Sequence, residues 1–171
     1  MLLKSVRGVN LFLTGLVAGI LVSFWMVEQA LRGLAGPLYT AVHQPVNRVF
    51  GPVMPPLMTL AIFSGLAVLV LLARAYRTRV FALVAIGTLC SFAVAMSSLL
   101  VNVPINQEVL TWSPSALPAG WMQFRDQWWL WHIVRTIVSI LGFGCQIVAA
   151  LSPVPTRALP YAAEPRQQLG W

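Results

Sequence analysis

The sequence predicts an all-α integral membrane protein, a four-helix bundle with a short interfacial helix between its first and second spanning helices. Hydrophobic residues make up 58% of the 171 residues and charged residues only 9%, against about 25% charged residues in a soluble domain. Four separate apolar runs each approach the roughly 20 residues that a helix needs to cross the hydrocarbon core of a bilayer. This composition excludes a soluble globular domain, because too few polar side chains remain to cover its surface.

The first predicted span covers residues 9–31. Lys4 and Arg7 precede it, as in a signal peptide, but the uncharged run from Val9 to Val27 is longer than the roughly 7–15 residues of a signal-peptide core. We therefore expect this helix to be retained. Gly15 and Gly19 stand four residues apart on it and predict a close approach of a neighbouring helix.

The second and third predicted spans cover residues 53–73 and 80–101, and neither contains a charged residue. The short basic turn between them predicts an antiparallel hairpin, in which Ala61 and Gly65 form a second small-residue seam. The connection before this hairpin is rich in Gly and Pro, and between its prolines residues 39–50 predict the interfacial helix.

The fourth predicted span covers residues 128–151, after the longest connection of the chain, residues 102–127. Residues 1–152 therefore form the predicted four-helix transmembrane domain. Residues 153–171 are polar and rich in Pro, a composition typical of disorder, and are predicted to be a disordered cytoplasmic tail.

The distribution of basic residues predicts the orientation. Seven lie on one side of the predicted membrane and three on the other, namely Lys4, Arg7, Arg74, Arg77, Arg79, Arg157 and Arg166 against Arg32, Arg48 and Arg125. Because cytoplasmic loops carry the excess of Lys and Arg, we expect an inner-membrane protein with both termini in the cytoplasm.

The formal net charge of +7 does not indicate a nucleic-acid partner. The basic residues are scattered between apolar runs, and no basic patch interleaved with aromatic residues could follow a phosphate backbone. The expected partners are the lipid bilayer and a lipophilic small molecule, and the sequence leaves the oligomeric state open.

Conspicuous polar residues gather at the predicted extracytoplasmic end. Trp128, His132 and Arg135 share one helix face, because they are spaced four and three residues apart. Arg135 lies roughly 10 Å further along the predicted span than Trp128, at about 1.5 Å per residue. An arginine at this depth in the membrane costs about 2.5–3.5 kcal/mol to insert. We therefore expect Arg135 to face the bundle interior and to pair with a carboxylate, with Glu28 as the best candidate and Asp126 and Glu108 as the others.

Simpler explanations exist for each of these residues. The tryptophans of this end (Trp112, Trp121, Trp128, Trp129 and Trp131) suit an aromatic belt at the level of the lipid headgroups. Arg135 could extend towards the membrane surface. His132 could be a structural histidine that is hydrogen-bonded to a neighbouring helix. Asn102 and Asn106 flank Pro104 and could only cap an interrupted helix. None of these explanations accounts for the concentration of His, Arg, Asn and Trp at one end.

The order and spacing of these residues resemble a known family. The chain contains Asn102-x-Pro104-x-Asn106, then Trp112, then a Trp-x3-His-x2-Arg motif ending at Arg135, and the segment GPVMPPL at residues 51–57. Together they resemble the anthrone-oxygenase-like family of small four-helix membrane proteins, over roughly residues 10–151. Some members of that family oxidise an anthrone to an anthraquinone with molecular oxygen, while most bacterial members have no assigned activity.

The resemblance implies a membrane oxygenase or oxidoreductase acting on a lipophilic aromatic substrate, anthrone-like or quinol-like. The implied catalytic residues are His132 as general base, since a histidine pKa of about 6.5 suits proton abstraction at neutral pH, with Arg135, Asn102 and Asn106 stabilising the oxyanion. The expected substrate contacts are Trp112, Trp128, Trp131 and Glu28. A carbanion of the anthrone type reacts with oxygen without a cofactor, so none is required.

Two alternatives remain. One adds iron or copper, held by His43 and His132 with Glu28 as the carboxylate, since two histidines and one carboxylate can hold an open iron site. The other is non-enzymatic, a membrane scaffold or accessory subunit whose polar cluster is structural. In the non-enzymatic case the polar side chains would cap one another and leave no cavity.

Overall fold

A computed structural model describes residues 1–153, and the predicted tail therefore lies outside the described residues, apart from Pro153. The α-helices are α1 (Leu2–Leu31), α2 (Gly36–Leu71), α3 (Arg79–Ser97), α4 (Val103–Thr111) and α5 (Trp121–Leu151). A 3-10 turn (Ala73–Ala75) lies between α2 and α3, and a π-helical segment (Ser98–Asn102) joins α3 to α4 without a break.

Within residues 1–153, four helical stretches are long and apolar enough to cross a membrane, with mean hydropathies of 1.8 to 2.2. They are Leu2–Leu31, Gly36–Leu71, Arg79–Thr111 and Trp121–Leu151. The predicted all-α four-helix bundle is confirmed, and the chain is a multi-pass membrane protein.

The bundle exposes apolar side chains on its outer surface and buries polar side chains, beside an apolar core, between its helices. Large apolar side chains such as Phe12, Phe63 and Leu89 are exposed on its outer surface, whereas Asn10 and Gln146 are buried between the helices. In water this arrangement would be inverted. In a bilayer it is favourable, because polar side chains hydrogen-bond across helices instead of facing lipid.

The helices form a ring in which α1 and α3 each pack against both α2 and α5. The end that carries Leu2, the turn of residues 72–78 and Leu151 is called the terminal half below. The opposite end carries the connections of residues 32–35 and 112–120 and is called the cavity half.

Glycines bring the helices together in the terminal half. The side chain of Thr88 occupies the space where a Cβ atom on Gly65 would lie, and a Cβ on Gly15 would stand 2.9 Å from the Phe143 ring. The predicted close approach at Gly65 is therefore confirmed. The companion prediction for Gly19 is wrong, since a Cβ there would meet nothing within 4 Å.

Residues 39–50 are helical, but the predicted separate interfacial helix is wrong, because they form the first part of α2. This helix contains four internal prolines, Pro45, Pro52, Pro55 and Pro56. Each proline removes one amide donor and favours a break. In a membrane helix, however, neighbouring helices and local adjustment of the backbone compensate for such losses, so the helix continues.

The third span is also longer than predicted. It runs to Thr111 and α5 already begins at Trp121, so the predicted connection of residues 102–127 shortens to residues 112–120. The π-helical segment lies just before Pro104. At its end the Val103 amide donates to the Ser98 carbonyl, five residues earlier. This wider turn lets the helix pass the proline without ending.

Candidate functional site

A cavity of about 100 Å³ lies in the cavity half, between α1, α2, α4 and α5. Apolar side chains form most of its wall, among them Leu21, Phe24, Phe50 and Met54. The polar side chains that line it are Glu28, His43, Asn47, Ser98, Asn102, Asn106, Trp128 and Arg135. Apolar walls with a few convergent polar groups are the usual composition of a small-molecule site.

All four spans contribute residues to this cavity, each from a different part of its helix. Glu28 stands in the last turns of α1, whereas His43 comes from the part of α2 that precedes its prolines. Asn102 ends the π-helical segment and Asn106 follows one turn later, so both point from the same face. His43 was expected in the interfacial helix of the first connection, but it is buried within α2.

Arg135 is buried and held by uncharged partners. Its Nε and Nη2 lie 3.2 and 2.8 Å from His132 Nδ1, and its Nη1 donates to Ser98 Oγ at 2.9 Å. Its guanidinium carbon lies 5.5 Å from the centre of the Trp128 ring, a cation–π distance. The Arg135 side chain thereby reaches the cavity with a fixed direction.

The predicted ion pair between Arg135 and Glu28 is wrong. The ion pairs within residues 1–153 join Asp126 to Arg32 and to Arg125, each at 3.0 Å. Asp126 is thus already paired. His132, three residues before Arg135 on the same helix face, and Ser98 accept the hydrogen bonds for which the sequence suggested a carboxylate.

His132 lies behind the cavity wall. Its exposed fraction is 0%, and its ring stacks on Trp128 with 4.8 Å between ring centres. Its Nε2 is 3.0 Å from the Leu21 carbonyl oxygen, which can only accept, so Nε2 carries the proton and Nδ1 accepts from Arg135. Both ring nitrogens are therefore engaged. Its predicted role as general base would require Arg135 to move away from Nδ1.

Three side chains of the cavity wall carry a buried polar atom that has no hydrogen-bond partner among the described residues: Glu28 Oε1, Asn102 Oδ1 and Trp128 Nε1. Their exposed fractions are only 2%, 0% and 5%, respectively. The other side of the Asn102 amide is fixed, because Nδ2 donates to the Trp128 carbonyl at 3.1 Å. Leaving such an atom unpaired costs about 1–3 kcal/mol. Two acceptors and one donor therefore await a complementary molecule.

His43 also contacts Trp128. Its ring centre lies 5.4 Å from that of Trp128, edge to face, and 5.3 Å from that of Tyr39, on which it stacks. His43 Nε2 is 3.3 Å from Asn106 Oδ1. The backbone carbonyl of Asn106 in turn accepts from Asn47 Nδ2 at 3.0 Å, which ties α4 to α2.

Two of the predicted substrate contacts lie outside the cavity wall. Trp112 is buried in a cluster with Ile105, Val109 and Trp128, and its Nε1 donates to Glu108. Trp131 is 36% exposed on the outer surface of α5. An outward indole near the end of a span suits the aromatic belt.

Among residues 1–153, no group of three or more His, Cys, Asp or Glu side chains stands close enough to hold a metal ion. The alternative ligands His43, His132 and Glu28 therefore do not form such a group. His43 and Glu28 line the cavity, while His132 stands behind it.

Several residues of the cavity wall were not singled out from the sequence, among them Phe24, Phe50, Asn47 and Ser98. Asn47 stands four residues after His43 within the predicted interfacial helix, a spacing that already places both on one face. No spacing links Ser98 to Arg135, because their contact depends on how α3 and α5 pack.

A family model described as anthrone oxygenase matches residues 43–145, more than half of the chain. The match includes His43, Asn102, Asn106, Trp128 and Arg135, and it begins after α1. No curated protein and no solved structure matches the chain.

Proposed function

The chain belongs to the anthrone oxygenase family, and on that premise we propose that it is a membrane oxygenase that oxidises a lipophilic hydroxylated aromatic compound of the anthrone or quinol type. The three unpartnered polar atoms of the cavity wall carry the proposal. Phenolic hydroxyl groups of such a substrate donate to Glu28 Oε1 and Asn102 Oδ1, and a ring carbonyl accepts from Trp128 Nε1.

The apolar part of the wall suits the rest of this substrate. Phe24 and Phe50 meet edge to face with 4.7 Å between ring centres, and both line the cavity. Val27 on α1 and Gly51 on α2 line it too and are exposed at the outer surface. A lipophilic ring system dissolved in the bilayer can therefore approach the cavity between α1 and α2.

The overall reaction converts a ring CH₂ group and O₂ into a ring carbonyl and water. A base removes one proton from the CH₂ carbon, and the electron pair delocalises onto the ring oxygen as an enolate. Arg135 stabilises this oxyanion together with Asn106, in surroundings from which water is largely excluded. Asn102 does not share this role, because its Nδ2 donates to the Trp128 carbonyl and its free atom, Oδ1, is an acceptor. His132 keeps the guanidinium of Arg135 in place, which is a positioning role.

The existence of the cavity favours this proposal over a non-enzymatic scaffold. In a scaffold the polar side chains would cap one another, as Arg135, His132 and Ser98 partly do. Glu28 Oε1 and Asn102 Oδ1 instead remain uncapped beside an open volume.

We further propose that the cavity half faces the extracytoplasmic side of the inner membrane, with both termini in the cytoplasm. The support is the excess of Lys and Arg at the terminal half. Single cysteines introduced at Ser115 and at Arg77, in a variant lacking Cys90 and Cys145, test this in intact cells. A membrane-impermeant thiol reagent is expected to label position 115 and not position 77, and the reverse pattern would refute the orientation.

The activity is tested with the full chain in lipid nanodiscs. Oxygen consumption and quinone formation from a hydroxylated anthrone are followed against empty nanodiscs, which report spontaneous oxidation. We expect faster turnover with the protein and a loss of about two- to tenfold in kcat/KM for Asn102→Leu, since it removes the acceptor of one substrate hydroxyl, a neutral hydrogen bond of about 0.5–1.5 kcal/mol.

Glu108→Gln is the control, because Glu108 is exposed and contacts Trp112 outside the cavity. Its kcat/KM is expected to match that of the unmodified chain. The proposal fails if neither anthrones nor quinols react faster with the protein than with empty nanodiscs.

A further inference from the structure

We infer that His43, oriented by Asn106, is the general base of this reaction, an assignment that rests on the proposed function. His43 lines the cavity, and its Nε2 stands 3.3 Å from Asn106 Oδ1. Sequence spacing pointed instead to His132, whose two ring nitrogens are both engaged and whose ring stands behind the wall.

The contact with Asn106 decides which nitrogen of His43 is the base. An amide oxygen can only accept, so Nε2 carries the proton and Nδ1 keeps its lone pair. Within residues 1–153 the His43 ring makes its hydrogen bond through Nε2, which leaves Nδ1 for the substrate. Because Asn106 is uncharged, it fixes the ring without changing its charge, and the imidazole stays in the neutral form that accepts a proton.

The ring of His43 is also fixed in position. It stacks on Tyr39 and stands edge-on to Trp128. Gln44, the next residue, donates to the carbonyls of Val109 and Trp112 at 2.9 Å, which fastens this part of α2 to the end of α4. A general base needs such a fixed position, since proton transfer requires hydrogen-bond reach of the substrate.

His43 and Arg135 both lie beside the Trp128 indole. The Trp128 ring centre lies 5.4 Å from that of His43 and 5.5 Å from the guanidinium carbon of Arg135. Because all three residues line the cavity, a substrate held next to Trp128 has both the base and the positive charge nearby.

The steps balance with O₂ as the only oxidant. His43 Nδ1 takes a proton from the ring CH₂, and the electron pair remains on the substrate as the enolate. The enolate passes one electron to O₂, and the resulting radical pair combines to form a carbon–oxygen bond. The imidazolium returns its proton to the peroxide. His43 then removes the second proton from the same carbon, the O–O bond breaks as the carbonyl forms, and the hydroxide leaves as water with that proton.

Proton abstraction is measured apart from oxidation by excluding oxygen. Exchange of the ring CH₂ hydrogens of a hydroxylated anthrone with D₂O is followed by NMR under anoxia, with the full chain in nanodiscs and empty nanodiscs subtracted. We expect His43→Ala to lower the protein-dependent exchange by about 10²–10⁴-fold, the usual contribution of a positioned base. Added imidazole is expected to restore part of that rate.

Variants of the neighbours sharpen the test. Asn106→Leu, which removes the acceptor, is expected to lower exchange at least tenfold, whereas Asn106→Asp, which keeps an acceptor, retains most of it. Glu108→Gln serves again as the control. Thermal melting of each variant in nanodiscs identifies any that fails to fold, and imidazole rescue of His43→Ala then still reports on the base.

Two different results would count against these ideas. If the unmodified chain neither exchanges nor oxidises anthrones or quinols, both the proposed function and the base assignment fall. If it does both while a folded His43→Ala exchanges at an unchanged rate, only the assignment to His43 falls. If Glu28→Gln loses exchange while His43→Ala keeps it, Glu28 and not His43 is the base.

Discussion

The two halves of the bundle both bury polar side chains, but they differ in whether the buried polar atoms have hydrogen-bond partners. In the terminal half, Asn10 donates to the Ala61 carbonyl and to Ser64, Thr88 donates to the Val84 carbonyl, and Gln146 also donates there. In the cavity half, within residues 1–153, lie the buried polar atoms that lack a partner: those of Glu28, Arg32, Thr40, Asn102 and Trp128. Of these residues, Glu28, Asn102 and Trp128 line the cavity, so buried polar residues occur in both halves but the unpaired ones concentrate around the cavity.

The two halves also differ in open volume. In the terminal half, side chains fill the space over Gly65, Gly87 and Gly142, and the space over Gly36 in the cavity half is filled as well. A second void, beside Met58 and Val94, measures only about 10 Å³, against about 100 Å³ for the cavity. The larger open volume therefore lies in the cavity half.

The largest expected effect is on activity, from Arg135→Met. Removing the oxyanion donor is expected to lower kcat/KM by about 10²–10³-fold. The melting temperature should stay the same or rise, because a buried charge without a carboxylate partner is replaced by an apolar side chain of similar length. The matched variant in the terminal half is Arg7→Met, since Arg7 contacts the Ala149 carbonyl. Equal losses of activity in both variants would contradict a functional difference between the halves.

The next effect is on stability, from Gly65→Ala. The added Cβ would overlap the Thr88 side chain, and such overpacking typically costs about 1–3 kcal/mol. Gly19→Ala is the control, because its Cβ would meet nothing within 4 Å and alanine favours a helix by up to about 1 kcal/mol. Reversible unfolding in mixed micelles measures both. A Gly65→Ala protein as stable as Gly19→Ala would show that the terminal half is looser than described.

Filling the cavity should separate activity from stability. Val46 lines the cavity and is half-buried, so Val46→Phe places the larger ring in open volume. We expect kcat/KM to fall about tenfold, equivalent to about 1.4 kcal/mol, because the substrate loses space, a difference of the size that a hydrophobic pocket usually discriminates. The unfolding free energy should be unchanged. A loss of stability as large as that of Gly65→Ala would mean that the volume is not available to a ligand.

The smallest expected difference distinguishes two tryptophans of α5. Trp128→Phe keeps an aromatic ring but removes the unpaired Nε1, and a neutral hydrogen bond of about 0.5–1.5 kcal/mol predicts a loss of about two- to tenfold in kcat/KM. Trp131→Phe is expected to change kcat/KM less than twofold, since Trp131 faces outwards. A larger effect at Trp131 would support its predicted contact with substrate.

Much of the fold was predictable because hydrophobic length alone defines a membrane span. The ends of the spans were not. Pro45 and Pro52 suggested a break that the neighbouring helices prevent, and Pro104 suggested a helix end where a π-helical segment carries the chain onwards. Propensity describes an isolated chain, whereas these positions depend on what surrounds them.

The candidate site was predictable in place but not in detail. Helical spacing put Trp128, His132 and Arg135 on one face, and the structure agrees. It could not tell that Arg135 covers His132, or that His43 reaches the same cavity from α2. Those relations depend on the contact of α5 with Ser98 and of α2 with α4, which no local pattern encodes. The residue roles themselves stay predictions.

The π-helical segment of residues 98–102 determines which face of the third span carries Asn102 and Asn106. One extra residue in a helix turns everything that follows by about 100°, since an α-helix has 3.6 residues per turn. Shortening this segment by a single residue would rotate Asn102 and Asn106 away from the cavity while leaving the hydropathy of the span nearly unchanged. A homologous chain that lacks this residue is therefore expected to keep the membrane topology and to lose this arrangement of polar groups.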